Sequence, residues 1–286
     1  SKSCSACHFK DGRGKPITVN GESANGFLIR LSMDGVDENG GPLPHPIYGG
    51  QFNDIAVSGI SAEGNIEVDF EYLSGVYEDG TVYVLRKPIY SLTNLNYGPI
   101  GSDVKMSPRV GQQMIGLGLL DAIDEEQLLQ LSDEFDSDSD GISGKINYVW
   151  DIESQSLKVG VFGWKASEPS VKQQVAGAFK GDLSIKSSLF PNENYTENQT
   201  ECSNLPDGGT IEIEDDDLMK TVIYSSSLAV PARRNIDNLN ILKGESIFNT
   251  IDCAKCHIPN LVTGASHEFS YLNNQLIHPY TDLLLH

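Results

Sequence analysis

The chain of 286 residues contains no long apolar run. A membrane-crossing helix needs roughly 18 consecutive apolar residues or more, so nothing in this sequence is built to span a bilayer. Positive charge is also scarce: 20 Lys and Arg stand against 40 Asp and Glu, for a net charge of −20. That deficit excludes a nucleic-acid binder working through a basic surface. It favours high solubility and a protein partner that is basic. No secretion signal is visible, as expected equally of a mature, trimmed chain. Cysteine is sparse, five in all, yet four of the five fall in two matching strings.

The strings are CSACH at 4–8 and CAKCH at 253–257. C-x-x-C-H is the attachment signal of a c-type haem: two thiols add across the porphyrin vinyl groups and the adjoining His supplies an axial nitrogen. A zinc ribbon would use two C-x-x-C units but has no need of a His directly after each. A thioredoxin-like dithiol leaves the doubled His unexplained as well. Two covalent haems are therefore expected, on Cys4, Cys7 and His8 and on Cys253, Cys256 and His257. Such haems are attached outside the bacterial cytoplasm, which implies a periplasmic or surface-anchored protein. Cys202 is left over and reads as an unpaired structural thiol. The N-x-T sequons at Asn194 and Asn198 are accidental in a bacterial host.

The second string follows Asn238–Asn249, whose apolar residues at 239, 241, 242, 247 and 248 suit an amphipathic helix. Gly244 and Phe248 within it match the packed N-terminal helix of a cytochrome c. No such helix can precede Cys4, and the apolar residues 283–285 run up to the final His286, so further sequence is expected at both ends.

Between the strings, Ile66, Val68, Phe70 and Tyr72 alternate with charged residues, a turn follows at 77–80, and Val82 and Val84 resume the period. This predicts a hairpin, with 28–31 and 89–92 as neighbouring strands. The segment 109–123 reads as helical, Asp124 with Gln127 as a capping-box start for a helix to about Leu131, and 146–150 with 157–162 as a second hairpin. Helices are predicted over 169–179 and 216–228, the second opening in an acidic cluster that complements the helix dipole and stopped by Pro231. The polar stretch 192–209 reads as a surface loop.

The segment DSDSDGISGKIN at 136–147 places Asp136, Asp138 and Asp140 at loop positions one, three and five, Gly141 at six and the Ile142 carbonyl at seven. That is the first half of a calcium loop. Position twelve is Asn147 rather than Glu, so the expectation is a single structural calcium and not an EF-hand. Its alternative is an acidic solvated turn without an ion.

Taken in order, CSACHFKDGRG, PIYGGQ, SPRVGQQMIGLGLL, DSDSDGISGKIN, VFGWKA, AVPARRN and CAKCHIP resemble the bacterial di-haem oxidoreductase family. Its members are often labelled thiol oxidoreductases and are similar to the di-haem cytochrome c peroxidases. The resemblance implies an α+β chain of mainly helical, cytochrome c-like haem domains. The first would span 1–235 with a β-rich insertion and the acidic loop, and the second would start at 236–286. It implies a peroxidase-like oxidoreductase that passes electrons between two haems and a small oxidant such as peroxide, or a redox partner. The alternatives are a non-enzymatic electron-transfer cytochrome and a haem-containing component of a metal-uptake system. His8 and His257 would be the proximal iron ligands. Distal candidates by type are Met33, Met106, Met114, Met219, His45, His267, His278 and His286. Met114 is expected on a helix, and His45, between two prolines, in a turn-capping role. Trp164 is a candidate electron relay, with aromatic core packing as its alternative. Arg13, Arg109, Arg233 and Arg234 are candidates to pair with haem propionates.

Overall fold

A computed structural model of the chain describes residues 3–9, 12–22 and 25–286. Lys10 and Asp11 of the first quoted segment lie outside the described residues. Two compact units emerge: Ser1–Gln113 with Glu193–Gly209, and Met114–Asn192 with Thr210–His286. Each carries one C-x-x-C-H string.

In the first unit a single helical turn, α1 (Cys4–Cys7), precedes five strands. These are β1 (Phe27–Ser32), β2 (Gln51–Phe52), β3 (Asn65–Val76), β4 (Val82–Thr93) and β5 (Lys105–Val110). β1 lies between β2 and β5, antiparallel to both, and pairs with β5 from Phe27↔Val110 to Ser32↔Lys105. Strand alternation sends Phe27, Ile29 and Leu31 inward, where they meet Ile17, Tyr48, Phe52, Ile66 and Val68 in one core. β3 and β4 form the expected hairpin, in register from Asn65↔Thr93 to Val76↔Val82. Only its base is buried; Leu73, Val76, Val82 and Val84 stay exposed. Residues 28–31 join this hairpin through the core and not by strand pairing, and 89–92 are part of β4 itself.

Segment 193–209 returns to this unit through polar contacts. Thr196 Oγ1 donates to the Ile47 carbonyl at 2.6 Å, and Gln199 Nε2 to the buried Glu63 carboxylate at 2.5 Å. The stretch read as a surface loop is thus partly a strap.

The second unit holds α2 (Leu117–Asp121), α3 (Glu125–Leu131), β6 (Tyr148–Asp151), β7 (Ser156–Val159), α4 (Val171–Leu183), α5 (Asp215–Ser227), α6 (Leu239–Thr250), β8 (Leu261–Val262) and β9 (Leu276–Ile277). α4 and α5 pack through Val171, Val175, Ala176, Leu218 and Val222 against Phe162. A second cluster joins Ile123, Leu128, Ile146 and Val159 to Leu261 and Ile277. α3, α4, α5, α6 and the β6–β7 hairpin fall where the periodicity puts them.

Two sequence expectations are corrected. Helix is absent from 109–116: β5 claims residues to Val110 as an edge strand, where Pro108 is tolerated, and α2 begins only after Gly116 at φ 65°. Met114 therefore sits outside any regular element, before α2. The α+β class of mainly helical, cytochrome c-like domains is overturned as well. Helix and strand each make up 22% of the structure, and the six helices among the described residues are short. The strands are the core of the first unit, whose only α-helix among the described residues is the four-residue α1, so they are no insertion into a helical domain. None of the helices among the described residues is long and apolar enough to cross a membrane.

Candidate haem sites

Both C-x-x-C-H strings close on the same backbone hydrogen bond. In the first, the His8 N–H donates to the Cys4 carbonyl at 2.9 Å; in the second, the His257 N–H donates to the Cys253 carbonyl at 2.9 Å. This closes one turn, an α-turn at Cys4–Cys7 and a tighter 3-10 turn at Cys253–Lys255. Each His ring is then fixed by its own Nδ1–H. His8 donates to the Gly12 carbonyl at 2.8 Å, and His257 to the Tyr280 carbonyl at 3.0 Å. A metal-bound imidazole is oriented in this way, with one nitrogen bonded to a backbone carbonyl and the other left for the ion. The four cysteines form no disulfide. The donor set and its geometry therefore fit two covalently held haems.

The surroundings differ. Around the first string three glycines bring backbones into contact: Gly14 N–H donates to the Gly111 carbonyl at 3.0 Å, and Gly111 N–H to the Gly26 carbonyl at 2.7 Å. A Cβ on Gly26 would fall 2.3 Å from the Cys7 carbonyl oxygen, and one on Gly111 would fall 3.4 Å from the His8 ring. Gly26 also has φ +73°, a conformation side chains resist. Around the second string the neighbours are aromatic. The Phe248 ring on α6 lies 6.2 Å from His257 and 5.6 Å, edge-on, from Tyr280. α6 buries no residue, Phe248 being only half-buried, and nothing approaches Gly244 within 4 Å.

The Cys256 thiol is not that of a redox dithiol. Burial, then Asp282 and Asp140, push the Cys256 thiol pKa up, whereas reactive thiols are depressed. Burial and the neighbouring Glu201, Glu63 and Glu193 raise that of Cys202 too, in keeping with a structural thiol.

Among the distal candidates, His45 is buried and fully used. Its Nε2–H donates to the Ile100 carbonyl and its Nδ1 accepts from the Ile47 and Tyr48 N–H groups, the turn cap its position suggests. His286 is bonded through both nitrogens, to the Ser143 carbonyl and to Asp282. His267 Nδ1 accepts from Phe269 N–H. His278 donates from Nδ1 to the Pro259 carbonyl and Asn260 Oδ1, the same arrangement as His8 and His257. Met219 packs into the α4–α5 core, and Met106 is exposed on β5. Trp164 is 55% exposed in a turn, so it does not serve as core packing. Arg233 is held by Glu245 at 2.8 Å and Arg13 is exposed.

The acidic loop is clamped against the second string. Lys255, inside CAKCH, pairs with Asp140 at 3.0 Å, and Lys145 and Leu285 exchange backbone hydrogen bonds at 2.8 Å. Asp136 and Asp138 converge within 4.8 Å, but their third partner is Asp133, not Asp140. Both Asp136 oxygens accept from Gly141 N–H, and Ile142 N–H donates to Asp140. Asp133 was missed because the loop pattern was counted from Asp136; its signal is a further carboxylate one turn upstream.

A family model described as "di-haem oxidoreductase, putative peroxidase" matches residues 1–286. The chain belongs to the di-haem oxidoreductase family. Neither the curated proteins nor the solved structures yield a match. The family supports haem as the cofactor and oxidoreduction as the chemistry, and the two cysteine strings are where this chain meets that description.

Proposed function

We propose that this di-haem oxidoreductase carries two covalent c-type haems and works as a peroxidase, taking electrons from a basic redox partner and delivering them to a small oxidant such as peroxide. The observation that supports it most is the repeated geometry: in both strings the His N–H closes the turn and Nδ1–H is committed to a carbonyl. When bound, haem supplies one-electron chemistry at iron. The protein's part is positional. Cys4, Cys7, Cys253 and Cys256 supply thioether anchors, while His8 and His257 present Nε2 in a fixed tautomer. Phe248 and Tyr280 give His257 an apolar flank, and the glycine contacts give His8 a close backbone floor. These different surroundings support two sites of unequal potential. Haem attachment chemistry supports a periplasmic or surface-anchored location.

Denatured protein should keep its haem on a gel and show an intact mass increased by two haems. Recovered zinc, or four free thiols in these strings, would sink the proposal. Paramagnetic resonance during a peroxide titration tests the activity. A high-spin ferric iron that responds to peroxide is expected; two low-spin irons without response would make the protein a plain electron carrier.

We also propose one structural calcium in the acidic loop, with Asp136 and Asp138 joined by Asp133. Metal analysis after dialysis should recover about one calcium per chain, and Asp138→Ala should lose it. Retention of the metal by that variant would rule the site out.

A further inference from the structure

The strand pair β1–β5 has a second face. Alternation that turns Phe27, Ile29 and Leu31 into the core turns Leu28 and Arg30 the other way, and across the ladder these meet Arg109 and Ser107. Arg30 and Arg109 are thus diagonal neighbours on one face, both half-buried. Their side-chain hydrogen bonds go to neutral groups: Arg30 Nη1 to Gln51 Oε1 at 3.2 Å and Arg109 Nε to Ser107 Oγ at 3.2 Å. Among the described residues neither makes an ion pair, in a chain where acidic groups outnumber basic ones 40 to 20. Burial and the neighbouring Arg30 pull the Arg109 pKa down. Two like charges side by side on a sheet, partly desolvated, are unfavourable unless an anion joins them.

The first haem string stands at the end of this strand pair. Beyond Phe27↔Val110 one more hydrogen bond joins the two segments, from Gly111 N–H to the Gly26 carbonyl, and Gly111 lies two residues past Arg109. A Cβ on Gly111 would point to the His8 ring at 3.4 Å, so the His8 ring lies off the end of β5 next to Gly111. The His8 ring therefore stands at the end of the strand that carries Arg109.

We propose that Arg30 and Arg109 together bind the propionate carboxylates of the haem carried by Cys4, Cys7 and His8, setting its orientation and raising its potential. This rests on the two-haem reading above. Guanidinium forks match carboxylates in geometry and charge, and a positive pair beside the haem favours the reduced form.

The test uses the full haem-loaded protein with Arg30→Gln, Arg109→Gln, Arg109→Lys and the double Gln variant. Redox titration followed optically gives both midpoints, and the one belonging to the first haem is the one that moves in His8→Met. Each Gln variant should keep two haems by mass, lower that midpoint and leave the other in place. Arg109→Lys should recover part of the shift, and the propionate bending band in resonance Raman should move with the Gln variants. An unmoved midpoint and Raman band in both single variants would overturn the assignment, whether or not the double variant folds. A wild-type midpoint that follows added inorganic phosphate would also overturn it, placing a free anion at the pair. A wild-type mass without haem would overturn the two-haem reading and this assignment with it.

Discussion

Glu63 is 5% exposed and accepts hydrogen bonds from Asn53 N–H at 2.6 Å and Gln199 Nε2 at 2.5 Å. Burial pushes its pKa from 4.5 up to about 7, against the pull of those donors. The folded state therefore binds this proton more tightly than the unfolded chain does. Its stabilising contribution is fully present below about pH 4.5 and is lost as pH rises through about 7. That difference corresponds to at most about 3 kcal/mol. Glu63→Gln keeps an acceptor for the strap and removes the charge. The variant should match the wild type at pH 5 and unfold at a higher denaturant concentration at pH 8. Parallel pH curves for the two proteins would show that Glu63 titrates normally.

Two glycines show how elements set these sites. Gly26, at φ +73°, lets the end of β1 meet the Cys7 backbone, and an added Cβ would sit 2.3 Å from that carbonyl oxygen. Gly244 lies inside α6 with nothing within 4 Å. Gly26→Ala should displace the first string and reduce haem content from two per chain toward one. Gly244→Ala should keep both haems and stabilise α6 by about 1 kcal/mol, the difference in helix propensity. Intact mass and thermal melting read both effects. Equal haem content in the two variants would remove the role given to the glycine contact.

For the molecule as a whole, a net charge of −20 dominates encounters. If its electron donor is basic, as proposed, the second-order rate of reduction should fall steeply between low and physiological ionic strength. Stopped-flow reduction by a basic cytochrome, with an acidic one as control, gives the comparison. A rate independent of salt with the basic donor would argue against electrostatic steering.

The turn at each cysteine string was legible in the sequence because it is local: a His four residues after the first Cys closes one turn in both strings, with the His N–H on the carbonyl of that Cys. The hairpins and most of the helices were legible for the same reason, their periods being properties of a few neighbouring residues. Residues 109–116 were misread because the ladder to β1, formed with residues some eighty positions earlier, outweighs a weak helical pattern. The mainly helical class failed with it, since strand pairing and core membership are long-range. Asp140 left the acidic trio for Lys255, and Asp133 took its place, through contacts that no local spacing reveals. The diagonal placing of Arg30 and Arg109 on the β1–β5 ladder is of the same kind. Residue type and spacing determine what chemistry this chain can hold, and only the tertiary structure decides which charges stand next to it, because electrostatics and packing act through space rather than along the chain.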